Sequence, residues 1–312
     1  MQIVKSIDDI KKDLNSAVTV GAFDGLHKAH QSIIRMSSEV ASATSGRNIV
    51  ITFDPHPRMV IDGLRSPKLL STTEEKIDLI RKLKLPVDIL FIIPFTREFS
   101  RLNSQEFFEG ILFDKIGFNN LVIGYDHFFG KDREGNVHFL ENMKTRIPFG
   151  LSVVDKITIN NEPVNSTHIR RLILNGEIKR ANQLLGWNYL LTGIIVEGNK
   201  RGRTIGFPTA NLKPLCSDKL IPKNGVYFVK VYLDDDSYYG FLNIGIRPTF
   251  ENDSEVFIET HIFDFEGDIY NKKMTIEFYD FIRDEKKFNS PEELIDQINK
   301  DKQICLQFLN NK

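Results

Sequence analysis

The order of the apolar segments divides the chain into two parts that predict different folds. Up to about residue 183, short apolar segments alternate with amphipathic ones. NIVITF, DILFIIPF and NLVIGYD are predicted strands, and SQEFFEGILFDKI is a predicted helix. STTEEKIDLIRKL is a second predicted helix, with a capping box of Ser71 and Glu74. This alternation predicts an α/β fold, in which a parallel sheet is covered by helices on both faces.

After Trp187 the helical segments give way to consecutive predicted strands. These are LLTGIIVEG, GVYFVKVYL, YYGFLNIGI, FIETHIFDF and KMTIEFYDFI, with a hairpin turn at DDDS. The last segment, SPEELIDQINKDKQICLQFL, predicts a helix with Ser290 as its N-cap and proline at its first position. We therefore expect a small closed antiparallel β-barrel followed by a helix, and two domains covering residues 1–183 and 184–312.

Composition and charge narrow the class of protein. The formal net charge is −1, which gives no overall field that favours nucleic acid or an anionic membrane. The longest apolar run, ILFIIPF, is far shorter than the roughly 20 residues of a membrane span. The first residues lack an apolar signal core, and Cys216 and Cys305 are too few and too distant for a disulfide framework. We expect a cytoplasmic protein without a nucleic-acid or membrane partner.

The segment GAFDGLHKAHQSII places two histidines after a Gly-Asp-Gly turn. It lies between a predicted strand, AVTVGAF, and a predicted helix, HQSIIRMSSEVASA, so that His27 and His30 share one face of the first helical turn. Helix N-termini attract anions, and this favours a phosphate site. A solvated helix face or a pair of metal ligands is the alternative. The segments FDPHP and GYDHFFG also follow strands, where ligands bind in such sheets.

A second cluster of candidate phosphate ligands is EPVNSTHIRRLILNG. Asn165 or Ser166 is a suitable N-cap, and Gly176 a suitable end, for a helix on which Thr167 and Arg170 share a face. A hydroxyl and a guanidinium at a helix start suit a phosphate, although a capped surface helix has the same pattern. Two such clusters in one predicted sheet favour a nucleotide site.

A third cluster lies within residues 196–212, VEGNKRGRTIGFPTANL. Glycines alternate there with Lys200, Arg201 and Arg203, a composition that suits a phosphate-binding loop or a basic surface loop. Thr209 and Asn211 are two residues apart, so both side-chain oxygens can reach one hard cation such as Mg²⁺.

These motifs resemble those of one enzyme family. GAFDGLHKAH resembles the GxFDGxHxGH motif of the nucleotidyltransferase superfamily, and VNSTHIRRL resembles its ISSTxxR motif. GFPTANL resembles the GFPTAN signature of riboflavin kinases. In order and separation they are similar to the bacterial bifunctional riboflavin kinase/FMN adenylyltransferases, also called FAD synthetases, over essentially the whole chain. The resemblance implies a Rossmann-like nucleotidyltransferase domain followed by a β-barrel kinase domain.

For the first domain, the resemblance implies that His27 and His30 hold the ATP phosphates and that Arg170 holds the pyrophosphate end. Asp126 matches a family position near the flavin phosphate. The other expected contacts to nucleotide or flavin are Gly21, Phe23, Asp24, Gly25, Ser166 and Thr167. Ala29 replaces a glycine of the motif, and its methyl group is expected to weaken ATP binding and slow FAD formation.

For the second domain, the resemblance implies that Glu259 is the catalytic base, although a glutamate on an exposed strand face fits the same pattern. Thr209 and Asn211 are the implied magnesium ligands. Residues 283–288 match a segment that closes over the flavin, and residues 243–250 match a loop beside it. Asn271 replaces a glycine in a turn and is expected to tolerate a left-handed backbone. The other expected contacts are Gly198, Arg203, Gly206, Pro208, Asn243 and Arg283.

The sequence therefore predicts an enzyme that phosphorylates riboflavin to FMN and adenylylates FMN to FAD, using ATP and Mg²⁺ in each step. Its expected partners are these small molecules, and the expected state is a monomer or weak homo-oligomer. One alternative is a riboflavin kinase with a weakened adenylyltransferase. Another is a regulator that binds flavin without turnover. A nucleic-acid-binding protein is disfavoured, because the sequence has no basic domain.

Overall fold

The computed structural model describes residues 1–198, 206–248 and 254–310 of the chain. The chain consists of two compact units, Met1–Ser166 and Thr167–Lys312. Among the described residues, no helix has both the length and the apolar character that crossing a bilayer requires.

The first unit contains a six-stranded sheet in which every neighbouring pair is parallel. Its strands are β1 (Gln2–Val4), β2 (Ala17–Val20), β3 (Asn48–Asp54), β4 (Ile89–Pro94), β5 (Asn120–Gly124) and β6 (Gly150–Val154). Their order across the sheet is β1-β4-β3-β2-β5-β6. A short antiparallel pair, β7 (Thr158–Ile159) and β8 (Glu162–Pro163), follows. The predicted parallel sheet is confirmed.

The helices of the first unit follow the predicted alternation. They are α1 (Lys28–Ala43), α2 (Pro57–Asp62), α3 (Thr73–Lys82), a π-helix (Glu106–Ile116) and α4 (Val137–Met143). Short 3-10 turns occur at Ile7–Asp9, Gly63–Arg65, Phe99–Arg101 and Lys131–Arg133. Wide winding of the π-helix places the amide of Gly117 on the carbonyl of Leu112, five residues earlier, at 2.9 Å. The apolar pattern predicts this helix but not its winding.

The capping box of α3 is one residue later than predicted. The Thr72 hydroxyl accepts from the Glu75 amide at 3.2 Å, and the Glu75 carboxylate accepts from the Thr72 amide at 3.0 Å. The prediction of Ser71 and Glu74 was therefore wrong. The hydroxyl of Ser71 has another use, because it accepts a hydrogen bond from the amide of Gly25 at 2.9 Å.

The second unit contains a closed antiparallel barrel with the strand order β10-β13-β12-β11-β14-β9. Its elements are α6 (Ile178–Leu185), β9 (Leu190–Val196), β10 (Ala210–Pro214), β11 (Gly225–Leu233), β12 (Asp236–Pro248), β13 (Ser254–Ile262), β14 (Lys273–Arg283) and α7 (Pro291–Asn310). The predicted barrel, its hairpin at residues 234–235 and the final helix are confirmed. Strand β10 was not predicted. The predicted strand YYGFLNIGI lies within β12, which continues to Pro248, so that residues 243–248 of the segment matched to a loop belong to this strand.

The C-terminal helix α7 covers part of the outer face of the barrel. Its Cys305 and Phe308 pack against Phe228 on β11, Phe241 on β12 and Phe263, which directly follows β13. Ser290 caps the helix as predicted, since its hydroxyl accepts from the Glu293 amide at 3.2 Å.

The boundary between the compact units lies after Ser166, which is 17 residues before the predicted domain boundary after residue 183. Helix α5 (Ser166–Leu174) begins at the division, and α6 belongs to the unit that contains the barrel. The Asn182 amide donates to the carbonyl of Phe278 on β14 at 2.9 Å, and the amide of Lys223 donates to Ile173 at 3.2 Å. Periodicity identifies a helix but not the sheet on which it packs, which explains the difference.

Candidate active sites

The first candidate site lies where the direction of sheet building reverses. From β2 the chain proceeds through β3 and β4 on one side and through β5 and β6 on the other. Residues 21–27 follow β2, and residues 125–130 follow the adjacent strand β5. In open α/β sheets, ligands bind at the carboxyl ends of the strands at such a switch point. Topology therefore brings together two of the segments that the sequence singled out.

A carboxylate and a glycine fix the shape of the loop after β2. The buried carboxylate of Asp24 accepts from the amides of Leu70 and Ser71, each with a shortest distance of 3.0 Å. Gly25 has a φ of +78°, and a Cβ there would lie 2.8 Å from Leu70 Cδ1. Both residues tie the loop to the chain before α3. Asp24 thus has a clear positioning role, and a direct contact to nucleotide from its carboxylate stays a prediction.

The two histidines form a stacked pair at the start of α1. His27 is the N-cap of the helix, and its Nδ1 accepts from the amide of His30 at 3.3 Å. The helix therefore begins at Lys28, whereas the sequence predicted a start at His30. The ring centroids are 3.5 Å apart and the rings are nearly parallel, at 17°.

His30 is held in its neutral form. Burial lowers its pKa well below the usual value, and the charges of His27 and Lys76 lower it further. The edge of Phe23 packs against its ring, with centroids 5.2 Å apart. Phe23 itself has a φ of +47°, which is a strained backbone conformation for a large side chain. The Nδ1 atom of His30 is buried and has no hydrogen-bond partner among the described residues. A polar ligand is the natural partner for such an atom.

One charged residue of this site was missed by the sequence analysis. Lys76 on α3 is only 5% exposed, and its Nζ donates to the carbonyl of Ala22 at 2.7 Å and to Thr52 Oγ1 at 2.9 Å. Its separation from Ala22 is 54 residues. The one available signal was a lysine on the apolar face of an amphipathic helix, three residues before Leu79.

The remaining predicted residues of the first site have separate surroundings. The Ser166 hydroxyl donates to the carbonyl of Asp24 at 3.0 Å, which joins the start of α5 to the loop after β2. Thr167 and Arg170 follow on α5 in the second unit, with Thr167 exposed and Arg170 half-buried. Asp126 is exposed in the loop after β5. Ligand contacts from Thr167, Arg170 and Asp126 stay predictions.

The second candidate site is a row of polar side chains across three barrel strands. Asn211 on β10 pairs with Glu259 on β13, and Glu259 pairs with Asn243 on β12. Directly paired residues in an antiparallel sheet project to the same face. The next residue on each strand, for example Thr260 or Leu242, is fully buried inside the barrel. Asn211, Glu259 and Asn243 therefore share the outer face, half-buried.

Asn243 and its neighbours carry polar atoms that suit a ligand. The Oδ1 atom of Asn243 is buried and has no hydrogen-bond partner in the described part of the chain. Partial desolvation raises the pKa of Glu285, and the side chain of Asn243 opposes this rise. A side chain at Gly245 would overlap the Glu285 carboxylate, so this carboxylate lies against β12. The segment after β14 thus reaches β12 beside the row, and its expected place near the flavin stays a prediction.

Other residues predicted to contact a ligand lie in the segment before β10, and these contacts stay predictions. Any side chain at Gly198 would collide with the amide of Asn211, which explains the need for glycine there. The Pro208 carbonyl lies 2.9 Å from His261 Nδ1, and Thr209 is half-buried beside it. Gly206 has a φ of +81° in open space. Arg203 lies outside the described residues.

Two other predictions concern the turns and the end of β14. Asn271 has a φ of +62°, so its expected left-handed conformation is confirmed. The guanidinium of Arg283 forms three hydrogen bonds of 2.7–3.0 Å to the carboxylate of Asp301 on α7. Arg283 therefore anchors the helix to the barrel, and a flavin contact from it stays a prediction.

Metal binding has a limited set of donors. Within residues 1–198, 206–248 and 254–310, no three His, Cys, Asp or Glu side chains form a group that could hold a metal ion. The oxygens of Thr209 and Asn211 are of the hard type that Mg²⁺ prefers, and Mg²⁺ commonly takes one or two protein ligands together with substrate phosphates. The donors of this site fit that pattern.

Comparison with known proteins identifies the family. The family model described as FAD synthetase matches residues 9–168, and the model described as riboflavin kinase matches residues 185–309. The bifunctional riboflavin kinase/FMN adenylyltransferase of Listeria monocytogenes is 40% identical over 297 residues, which cover 95% of this chain and 93% of that protein. This chain belongs to the bifunctional riboflavin kinase/FMN adenylyltransferase family. The member from Bacillus subtilis is 35% identical over 307 residues, 96% of this chain and 95% of its own.

A solved structure has the same fold over nearly the full length. It is titled a macrolide-efflux protein from Streptococcus pneumoniae, and it is 31% identical to this chain with a TM-score of 0.85. The alignment covers 97% of each chain. The order of a parallel-sheet unit and a barrel unit is thus shared with a relative of known structure.

Proposed function

We propose that this chain makes FAD from riboflavin in two ATP-dependent steps. It phosphorylates riboflavin to FMN and then transfers the adenylyl group of ATP to FMN, releasing pyrophosphate. The observation that carries the proposal is the match of both family models, in order, to one chain. The two clusters of polar groups described above supply chemistry suited to one step each.

Adenylyl transfer needs positioning rather than a base. The phosphate of FMN is already anionic at pH 7; its oxygen bonds to the α-phosphorus of ATP while the bond to the pyrophosphate oxygen breaks. Groups that neutralise charge on these phosphates lower the barrier. We assign this work to His27 and His30, with Ser166, Thr167 and Arg170 at the start of α5. The lowered pKa of His30 makes it a neutral hydrogen-bond donor before ATP arrives.

Riboflavin phosphorylation poses a different problem, because its nucleophile is a neutral hydroxyl. A carboxylate that takes the hydroxyl proton assists the attack on the γ-phosphorus of ATP, from which ADP departs. Glu259 is the proposed base. Its place between Asn211 and Asn243 supports this role, because both neighbours are polar and Asn243 carries a buried oxygen without a hydrogen-bond partner among the described residues.

We further propose that Mg²⁺ accompanies ATP in both steps. In the kinase site, Thr209 and Asn211 would hold it, and there it neutralises charge on the ATP phosphates. The proposed domains are residues 1–183 for adenylyl transfer and 184–312 for phosphorylation. The division between compact units favours including α5 and α6 when the kinase part is expressed alone. The proposed location is the cytoplasm, and the proposed state is a monomer or weak homo-oligomer.

Product analysis tests the function directly. The purified chain is incubated with riboflavin, ATP and Mg²⁺, and the flavins are separated over time, with a reaction lacking Mg²⁺ as control. We expect FMN first and FAD afterwards, with one ADP and one pyrophosphate per FAD. Accumulation of FMN alone would favour the kinase with a weakened adenylyltransferase, as Ala29 suggests. Flavin binding without either product would favour the regulator.

A further inference from the structure

Lys76 is a buried cation beneath the loop that carries the histidine pair. Its two hydrogen bonds join the ends of adjacent strands, since Ala22 follows β2 and Thr52 lies in β3. Thr52 in turn donates to the same Ala22 carbonyl at 3.1 Å, so this oxygen accepts two hydrogen bonds. A methionine would fill the same volume without desolvating a charge, which is costly. The position therefore calls for a reason to keep an ammonium.

The surroundings of Lys76 leave its charge finely balanced. Burial lowers its pKa to about 8, against the opposing attraction of Asp24 and Asp54. Asp24 is itself hydrogen-bonded to two backbone amides, and Asp54 accepts from the Thr73 hydroxyl at 2.9 Å. On the other side, the ammonium contributes to the lowered pKa of His30. Lys76 thus senses charge at the carboxyl edge of the sheet.

We propose that Lys76 is a positioning residue for adenylyl transfer, which holds the Ala22–Phe23 peptide in place and couples a proton to the arrival of the ATP phosphates. The proposal rests on the proposed adenylyl-transfer function of the first unit. In a trans peptide the carbonyl and the N–H point in opposite directions. Clamping the Ala22 carbonyl toward Lys76 therefore turns the Phe23 N–H away from it. It also helps to maintain the positive φ of Phe23, whose ring packs on His30.

The coupling to protons follows from electrostatics. The phosphates of ATP bring negative charge to this edge of the sheet, and nearby negative charge favours a protonated lysine. Because its pKa is about 8, a fraction of the Lys76 side chains is neutral in the free protein at pH 8. Binding of ATP is therefore expected to take up a fraction of a proton at that pH.

Kinetics of the full-length chain test the positioning role. Lys76→Met removes both the charge and the donors, and Lys76→Gln keeps a donor without the charge. Lys82→Met, on the exposed last turn of the same helix, is the matched control. With FMN supplied directly, we expect Lys76→Met to lower kcat/KM for FAD formation about 10- to 100-fold. Lys82→Met keeps the wild-type value, and phosphorylation of riboflavin stays unchanged in every variant.

Calorimetry tests the proton coupling independently of turnover. ATP with Mg²⁺ is titrated at pH 8 without flavin, so that neither reaction proceeds. The titration is made in two buffers of different ionisation enthalpy, because the difference in heat between them gives the number of protons taken up. The wild type and Lys82→Met are expected to take up the proton fraction given above, and Lys76→Met is expected to lose it. The same experiment at pH 6.5, where Lys76 is already protonated, is expected to show no contribution from Lys76.

The outcomes separate this proposal from the function on which it rests. A wild type that cannot adenylylate FMN overturns the function. A wild type that does so, beside a Lys76→Met variant within twofold of it, overturns the positioning role. Absence of proton uptake by the wild type at pH 8 overturns the coupling, even if Lys76→Met fails to fold. Loss of FAD formation in Lys76→Met together with loss of its proton uptake supports both parts.

Discussion

Breaking the ion pair between Arg283 and Asp301 is expected to destabilise the barrel far more than breaking one of the exposed ion pairs nearby. The Asp301 side chain is 1% exposed and that of Arg283 is 16% exposed, and three hydrogen bonds join them. Asp301→Asn removes the negative charge and leaves a guanidinium without its counter-charge. Breaking a buried pair in this way costs about 3–5 kcal/mol. Because Arg283 keeps some exposure, we expect the lower end, about 3 kcal/mol.

The chain offers a reporter and a control for this measurement. Trp187 is the sole tryptophan, and it is buried in the same unit as the barrel, so its fluorescence follows urea unfolding of that unit. Asp280→Asn makes the same chemical change in a pair with Lys179 at 3.3 Å, where the lysine is 68% exposed. Its expected cost is below about 1 kcal/mol.

A double variant identifies the origin of the loss. Arg283→Met combined with Asp301→Leu replaces the pair by apolar side chains, and we expect it to regain most of the stability lost in Asp301→Asn. Equal, small losses in Asp301→Asn and Asp280→Asn would refute the reasoning. In that event Arg283 would be available for the flavin contact that the sequence predicts.

Three further predictions concern the two sites and pH. Glu259→Gln is expected to lower riboflavin phosphorylation about 10²–10⁴-fold while FAD formation from supplied FMN persists, and near-normal phosphorylation would exclude it as the base. His30→Ala is expected to lower FAD formation at least about 10-fold, measured by flavin separation, and equal loss of FMN formation would contradict a role confined to the first site. Burial lowers the pKa of His127 to about 4, so its unfolded form binds more protons below pH 6.5, and stability is lost as pH falls toward 4. At pH 5 this loss in the free energy of unfolding is about 2 kcal/mol. The thermal stability of His127→Asn is therefore expected to depend less on pH than that of the wild type, and an equal dependence would contradict this role of His127.

The sequence predicted those parts of the fold that depend on local periodicity. Alternating strands and helices before residue 183, and consecutive strands after Trp187, led to the parallel sheet and the barrel. The sequence alone could not decide which of two adjacent residues acts as the N-cap of a helix. Ser71 and Thr72 are equally suitable caps, and only the hydrogen bond from Gly25, 46 residues earlier, decides between them.

Motifs predicted the candidate sites in part, since they identify residue types at fixed spacing. The structure stacks the rings of the two histidines and places Asn211, Glu259 and Asn243 in one row, while their roles stay predictions. Lys76 and Asp301 were missed, because each acts through a partner that is distant in sequence and belongs to another element. Such partners are set by tertiary packing, and no local pattern marks them.

The two units can fold at different times during protein synthesis. The last strand of the parallel sheet ends at Val154, so this sheet can form when about half of the chain has been made. The barrel closes only when β14 pairs with both β11 and β9, and β14 ends at Arg283, near the C-terminus. Non-local pairing of this kind is slow, and units that emerge first generally fold first. During synthesis, the first unit can therefore be folded while β9–β13 are still without β14, the strand that closes their barrel.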